Sequence, residues 1–489
     1  MNAATPDDRS VWADLHRPVP SWWAEAKLGI FIHWGAYSVP AWAEPSGALG
    51  EVPEQDWFRH NAYAEWYGNT MRIPGSPAAE HHREVYGNAP YDDFLDAWTA
   101  ERFDPTAWAE LFAAAGASYV IPTTKHHDGV ALWDAPGTGD RNTVHRGPRR
   151  DLVKEIADAV RAVGLRFGVY YSGGLDWSVS NFPPHQTFSE VHNLRPVDAA
   201  YNAYTLLHVR DLIERYDPTV LWNDIDWPDA GKRTGAWSLH ELFADFYAGR
   251  PDGVVNDRWG DTHWDFRTTE YSAGTERESA DQWENCRGIG FSFGYNQVEG
   301  TDQLLTGPEL ARLLGDLVSR GGRLLLNVGP TAAGEIPAGQ QESLRGLGRW
   351  ISGLGDWLRQ ASAWPDGPLP SDDPWIRWLS TPTHAIALVD HLGETRLTVP
   401  TEGFDVTAAT LIGPGTVSGA EDLAFIFRRR SGRRRAANEV IGSRRLSQIM
   451  GDALHAGPLR LAPRYRDHVG FKAASAVSRR VCVPSERMM

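Results

Sequence analysis

Cysteine is nearly absent. Cys286 and Cys482 are the only two in 489 residues, too few for a disulfide framework and without metal-ligand spacing. A disulfide-stapled scaffold is excluded, and a reducing cytoplasm is the expected compartment. No run of about 18 apolar residues occurs, and the start, MNAATPDDRSVWADLHRPVP, has neither a basic flank nor an apolar stretch. We therefore expect no membrane span and no secretory leader. Positive charge is also short over most of the chain. The net charge is −15, yet residues 428–489 hold 14 Arg and one Lys against two Asp and two Glu; that segment is +11, leaving −26 on the first 427 residues. So acidic a body argues against nucleic acid as a partner.

What the chain does have is core. With 42% hydrophobic and 23% charged residues it has the makeup of an ordinary globular protein, with room for a barrel of roughly 250 to 350 residues and a smaller companion. The most informative stretch is TVLWNDIDWP, residues 219–228. Thr219, Val220 and Leu221 make a short buried run that surfaces in Trp222, Asn223, Asp224, Ile225, Asp226 and Trp227. A strand covered on both faces reads as a continuous apolar run with its polar residues gathered at the end. In a (β/α)8 barrel those C-terminal ends build the active site. Alone, Asp224 or Asp226 reads as readily as a turn or helix-cap residue.

The pattern recurs along the chain. LGIFIHWGAYSVPAW leaves His33 and Trp34 at its exit, and AEWYGNTM adds Glu65, Trp66 and Tyr67. SYVIPTTKHHDG ends in Lys125, His126, His127 and Asp128, and RFGVYYSGGLDW in Tyr170 and Tyr171. GVVNDRWG delivers Asn256, Asp257 and Arg258; DFRTTEYS carries Glu270; GIGFSFGYNQ reads as a further strand bringing Phe293 and Tyr295; GRLLLNVGP is the most apolar of all. Helical patterns lie between them. RRDLVKEIADAVRAVGL, for example, sets Leu152, Ile156, Ala159, Val160 and Val163 on one face, with Gly164 at its end. This alternation predicts an α/β fold: a (β/α)8-type, TIM-like barrel over residues 1–360. No Gly-rich nucleotide or phosphate fingerprint follows the first strand, which sets aside an open doubly wound sheet.

Beyond the Pro-rich link ASAWPDGPLPSDDPW the character changes. WIRWLS, HAIALVDH, TRLTVP and VTAATLI are short β-branched segments between turn signals, and they predict a small C-terminal β-sandwich over 361–427. FRRRSGRRRAANEV interrupts the period, so the sandwich reads as incomplete. Residues 428–489 read as a basic, irregular, non-catalytic tail, whose composition also has the look of a shifted reading frame.

Collected at one face, the exits supply two acids from different strands (Asp224, Glu270), three histidines (His33, His126, His127), Arg258 and several aromatic rings. Sugars present apolar faces to aromatics and hydroxyls to dense polar groups, so this is the lining of a carbohydrate pocket. Two carboxyls flanking a glycosidic bond suffice for its hydrolysis. Metal-assisted hydrolysis is the competing chemistry, with His126 and His127 as the obvious ligands. Neighbours on a strand point to opposite sides, so we expect no metal and no other cofactor. Each residue also has a plainer reading: His33 as a core histidine, His126 and His127 as a turn pair, Arg258 as a partner of Asp257, and Trp66 and Trp222 as core aromatics.

FIHWGAYSVPAW, EWYGNTM, YVIPTTKHHDGVALWD, GVYYSGGLDW, VLWNDIDWP, VNDRWG, GFSFGYN and GGRLLLNVGP, in this order, resemble the α-L-fucosidases of glycoside hydrolase family twenty-nine over roughly residues 10–360. The resemblance implies a retaining exo-hydrolase that removes terminal α-L-fucose through a covalent fucosyl-enzyme. It places the nucleophile at Asp224, the acid after Trp-Asn, and the general acid/base at Glu270, with Glu284 and Glu276 as fallbacks. The implied sugar-binding set is His33, Glu65, Trp66, His126, His127, Tyr171, Trp222 and Arg258, with Phe293 walling off the sugar's methyl group. Asp224 then needs Arg258 or a protonatable His nearby to keep it ionised, and Glu270 a less polar setting to hold its proton. The two should converge, about 5 to 5.5 Å apart, across a cavity sized for one deoxyhexose. The expected partner is a glycan or glycoside ending in α-L-fucose, with homo-oligomerisation left open. Two alternatives stand beside this reading: an inert fucose-binding protein and a metal-dependent barrel hydrolase.

Overall fold

The computed structural model describes residues 8–272, 282–364, 367–372, 375–391, 404–412 and 421–429. Eight parallel strands form one curled sheet: β1 (Leu28–Ile32), β2 (Tyr119–Lys125), β3 (Arg166–Ser172), β4 (Val220–Asp224), β5 (Val254–Val255), β6 (Arg267–Glu270), β7 (Trp283–Gly288) and β8 (Gly322–Val328). Their order is β5-β4-β3-β2-β1-β8-β7-β6, the circular order of a barrel, with no ladder between β5 and β6 among the described residues. Helices α1 (Pro105–Ala114), α2 (Leu152–Ala162), α3 (Ala199–Tyr216), α4 (Leu239–Gly249), α5 (Gly307–Ser319) and α6 (Ala338–Leu354) alternate with the strands. This is the expected barrel architecture.

Local chemistry sets these boundaries. Asp104, Asp151, Asp198, Ser238 and Thr306 each accept a first-turn backbone N–H of the helix that follows, satisfying donors that have no partner within the helix. On α2 the buried face is Leu152, Val153, Ile156, Ala157 and Val160, so Val153 and Ala157 take the places expected for Ala159 and Val163.

Strand alternation sorts the core into two clusters. Phe31, Tyr119, Tyr170, Trp222, Cys286 and Leu325 belong to one, while Ile30, Val120, Tyr171, Leu221 and Leu326 pack with the helices in the other. The first is the barrel interior. One glycine is decisive there: a Cβ on Gly29 would lie 2.3 Å from the Tyr119 ring. Without it, the Tyr119 hydroxyl reaches Glu284.

Strand β7 corrects the sequence reading. GIGFSFGYNQ is not a strand but the loop after one, and the strand is WENCRG, residues Trp283–Gly288. Its inward positions hold polar groups (Glu284 bonds to Tyr119 and Trp222 inside the barrel), so no apolar run announces it.

The C-terminal unit is a six-stranded antiparallel sheet of β9 (Ser362–Ala363), β10 (Ser371–Asp372), β11 (Trp375–Ser380), β12 (His384–His391), β13 (Phe404–Ile412) and β14 (Glu421–Arg429). The order is β10-β11-β12-β14-β13, with β9 also on β11. TRLTVP, most of the basic tail, and Glu276 lie outside the described residues. Leu379, Ile386 and Leu388 share one apolar cluster with Leu310 and Leu314 of α5, so the small sheet is seated on a barrel helix.

Candidate active site

Strands β1 to β4, β6 and β7, with the segments that follow β1, β2, β5 and β7, surround one hollow. It is lined by Phe31, His33, Tyr63, Glu65, Trp66, His126, His127, Tyr170, Trp222, Asp224, Arg258, Glu270, Cys286 and Phe293. Every residue named from the sequence as catalytic or sugar-binding is there except Tyr171. The Tyr171 hydroxyl instead meets His208 Nδ1 at 3.0 Å, and Lys125 Nζ sits 4.7 Å from its ring centroid, outside the barrel. Strand parity is the reason: on β3, Tyr170 points in and Tyr171 out. Tyr170, Tyr63, Phe31 and Cys286 are the lining residues not assigned to the pocket beforehand. Alternation along β3 would have found Tyr170.

Asp224 ends β4 and is almost fully buried. Its Oδ1 accepts from Arg258 Nη1 at 2.8 Å and from the Ile225 backbone N–H at 2.9 Å; its Oδ2 accepts from the Tyr170 hydroxyl at 2.8 Å. Ile225 has a φ of +69°. A β-branched residue rarely adopts that conformation, and here it accompanies an N–H bond onto the carboxylate. Burial pushes the Asp224 carboxyl up, but the Arg258 charge, the Arg258 hydrogen bond and that of Tyr170 outweigh it, and the net shift is downward. Asp226 has a different task, holding Arg195 and Lys232, each at 2.7 Å.

Arg258 follows β5 and crosses the hollow. Its Nη2 lies 3.0 Å from Glu270 Oε2, its Nε donates to Thr268 Oγ1 at 3.0 Å, and its guanidinium lies 4.7 Å from the centroid of the Trp222 ring. Its ion-pair partners are therefore Asp224 and Glu270. Asp257 accepts instead from the N–H and hydroxyl of Thr268, at 3.0 and 2.7 Å. Glu270 also accepts from the Tyr63 hydroxyl at 2.8 Å. The less polar setting expected for Glu270 is thus replaced by an ion pair. The volume of the hollow is only about 30 Å³, on the order of one water, and Arg258 spans the two carboxylates within it. The expected deoxyhexose-sized cavity is not open.

The histidines line the opposite side. His33 Nδ1 is 2.7 Å from Asn327 Oδ1, and burial takes its pKa down to about 4. His127 Nδ1 is 2.7 Å from Ser172 Oγ, and its Nε2 stands 3.7 Å from Asp224 Oδ2. Burial drives both His126 and His127 well below the ordinary histidine range, with neighbouring cations and histidines adding to the effect. All three are neutral at pH 7, so His127 meets Asp224 as a polar contact and not an ion pair. The expectation that neighbouring histidines face apart does not hold. The strand ends at Lys125, and the turn beyond it brings both rings to the hollow, centroids 4.0 Å apart. Among the described residues no three His, Cys, Asp or Glu side chains are grouped to hold a metal ion.

Glu65 and Trp66 sit on a short 3₁₀ turn, Ala64–Trp66. Glu65 accepts from the Gly294 N–H at 2.7 Å, yet burial raises its carboxyl to about 8. It is protonated at neutral pH, so it offers both a donor and an acceptor to a sugar hydroxyl. Phe293 stands 4.9 Å from the His33 ring and 5.4 Å from Tyr63. The fallback Glu284 lies beneath the pocket, accepting from Trp222 Nε1 at 3.0 Å, and burial lifts it to about 7.

The chain is similar to known proteins over most of its length. The family profile described as alpha-L-fucosidase matches residues 3–356. An alpha-L-fucosidase of Dictyostelium discoideum is 30% identical over 426 residues, covering 84% of this chain and 87% of that one. Human tissue alpha-L-fucosidase is 34% identical over 375 residues, 74% of this chain and 72% of its own. Among solved structures, an alpha-L-fucosidase at 42% identity superposes with a TM-score of 0.78 over 86% of this chain and 99% of that one. The Thermotoga maritima alpha-fucosidase in complex with fucose, at 41% identity, gives 0.71 over 84% and 97%.

Proposed function

The chain belongs to the α-L-fucosidase family and has that family's glycosidase activity, and from that premise we propose that it releases terminal α-L-fucose with retention of anomeric configuration. Asp224 attacks the anomeric carbon as Glu270 protonates the departing oxygen. Glu270 then takes a proton from water, which attacks the same carbon and frees Asp224. The observation that carries this reading is the pairing of Asp224 and Glu270, from separate strands, on one guanidinium.

The surroundings support the two roles. Asp224 is held ionised by Arg258 and Tyr170, as a nucleophile requires. Glu270 meets Tyr63 with one oxygen and Arg258 with the other, and a carboxyl in its acid form keeps acceptor capacity beside its one O–H donor, so the contact with Arg258 does not bar it from the acid role. His33, His126, His127, Glu65, Trp66 and Trp222 hold the hydroxyls and ring face, and Phe293 meets the methyl group. The substrate we propose is a fucosylated glycan or glycoside. We also infer a cytoplasmic location, supported by the scarcity of cysteine and by a buried, free Cys286. No described helix is long and apolar enough to cross a membrane.

Proton NMR of the first turnovers of an aryl α-L-fucoside tests the mechanism. α-Fucose as the initial product is the expected result, before mutarotation mixes the anomers. Initial β-fucose would rule out double displacement.

A further inference from the structure

Ser172 ends β3 and Asn327 lies on β8; both are buried, and neither lines the pocket. Each meets one ring nitrogen of a pocket histidine while engaged with a backbone carbonyl on its other side. The Ser172 hydroxyl donates its one proton to the Leu175 carbonyl at 2.6 Å. Toward His127 Nδ1, 2.7 Å away, it has only lone pairs left, so the proton of that hydrogen bond sits on Nδ1. Turning the hydroxyl round would set two acceptors face to face at 2.6 Å. Asn327 repeats the logic. Its Nδ2 donates to the Phe293 carbonyl at 2.6 Å, which fixes the orientation of the amide and turns Oδ1, an acceptor, to His33 Nδ1 at 2.7 Å. His33 therefore carries its proton on Nδ1 as well.

A neutral imidazole holds a single ring proton. Burial keeps both rings neutral at pH 7, so each Nε2 is a lone pair. Both rings line the hollow, and His127 Nε2 stands 3.7 Å from Asp224 Oδ2. In the other tautomer that nitrogen would set an N–H beside the carboxylate and draw on the charge a nucleophile needs. As arranged, Asp224 Oδ2 takes a hydrogen bond from Tyr170 alone among the described residues. The loop after β3 holds His127 at a second point too, since the Trp177 N–H donates to the His127 carbonyl at 2.8 Å.

We propose that Ser172 and Asn327 are positioning residues that fix His127 and His33 as Nδ1–H tautomers, so that both rings accept from sugar hydroxyls through Nε2 and His127 gives no proton to Asp224. The identity of the sugar and the role of Asp224 rest on the fucosidase reading; the tautomers do not.

Nitrogen-15 NMR of the histidine-labelled protein reads which ring nitrogen is protonated, with His33 and His127 assigned from His33→Gln and His127→Gln. Protons on Nδ1 of both rings are expected, and a proton on Nε2 of either ring overturns the proposal. Ser172→Ala removes the acceptor from His127. The ring should then take the Nε2–H form, and kcat on 4-nitrophenyl α-L-fucoside should fall about tenfold. A ring that keeps Nδ1–H in this variant, or one that switches with kcat unchanged, overturns the part given to Ser172. The spectrum of the unaltered protein decides even where Ser172→Ala does not fold. Nδ1–H on both rings of a protein that hydrolyses no fucoside would instead sink the fucosidase reading and leave the tautomers standing.

Discussion

Tyr170 shows how much one hydrogen bond decides at the pocket. Its hydroxyl and the Arg258 guanidinium are what bring the buried Asp224 carboxyl below its ordinary range. A depressed pKa keeps the nucleophile ionised as pH falls, so the acid limb of kcat/KM for the free enzyme should lie low. In Tyr170→Phe that limb should move to higher pH, since the hydrogen bond that favours the charged carboxylate is lost. A limb that stays in place, measured on an aryl fucoside from pH 3 to 8, would remove Tyr170 from this role. Of the pocket residues legible beforehand, Asp224, Arg258 and the histidines stand at or just past strand ends where polarity interrupts an apolar run, while Glu270 ends the short polar strand RTTE. Tyr171 enters the sugar-binding set from the family resemblance, whereas the parity of the strand selects Tyr170. Arg258 beside Asp224 is anticipated from the need for a cation there; its second contact, to Glu270, is not, because it joins residues brought together only by the curl of the sheet.

Among the elements, the seam between β5 and β6 matters most. Side chains cross it where no ladder does. Asp265 accepts the Val255 N–H at 2.8 Å and donates its own N–H to the Val255 carbonyl at 2.9 Å; Asp257 binds the Thr268 N–H; and Arg258 ties Asp224 to Glu270 above them. Asp265→Ala leaves the Val255 N–H buried and unpaired, at a cost of about 1 to 3 kcal/mol. Hydrogen exchange should speed up at Val255 while β1 and β8 keep their protection, and unchanged exchange at Val255 would contradict this account of the seam. The seam also explains which strands were visible in the sequence. β1, β2, β4 and β8 are buried along their length and announce themselves as apolar runs. β7 places Glu284 and Asn285 in the interior, where hydrogen bonds replace the apolar signal.

Across the whole molecule, the alternation of strand and helix foretold the barrel and the β-rich C-terminal unit, but not that the unit's core would merge with α5. A Cβ on Gly315 of that helix would stand 3.0 Å from both Trp375 and Leu388, and Arg377 Nε binds Asp316 at 2.5 Å. We propose divisions near residues 360 and 427 as landmarks in the chain, not as limits of independent folding. A chain ended after Arg429 should retain kcat/KM within about twofold, whereas one ended after residue 360 should unfold at lower temperature, because it bares the apolar face of α5. Equal melting temperatures for the two would contradict that. The central claim is that β4 supplies a nucleophile which forms a bond to the sugar. Its most direct measurement is turnover of an aryl α-L-fucoside by Asp224→Ala with and without azide. We predict a loss of several orders of magnitude, at least about 10³-fold, with azide restoring turnover and giving a fucosyl azide. Activity close to that of the unaltered protein would contradict the account.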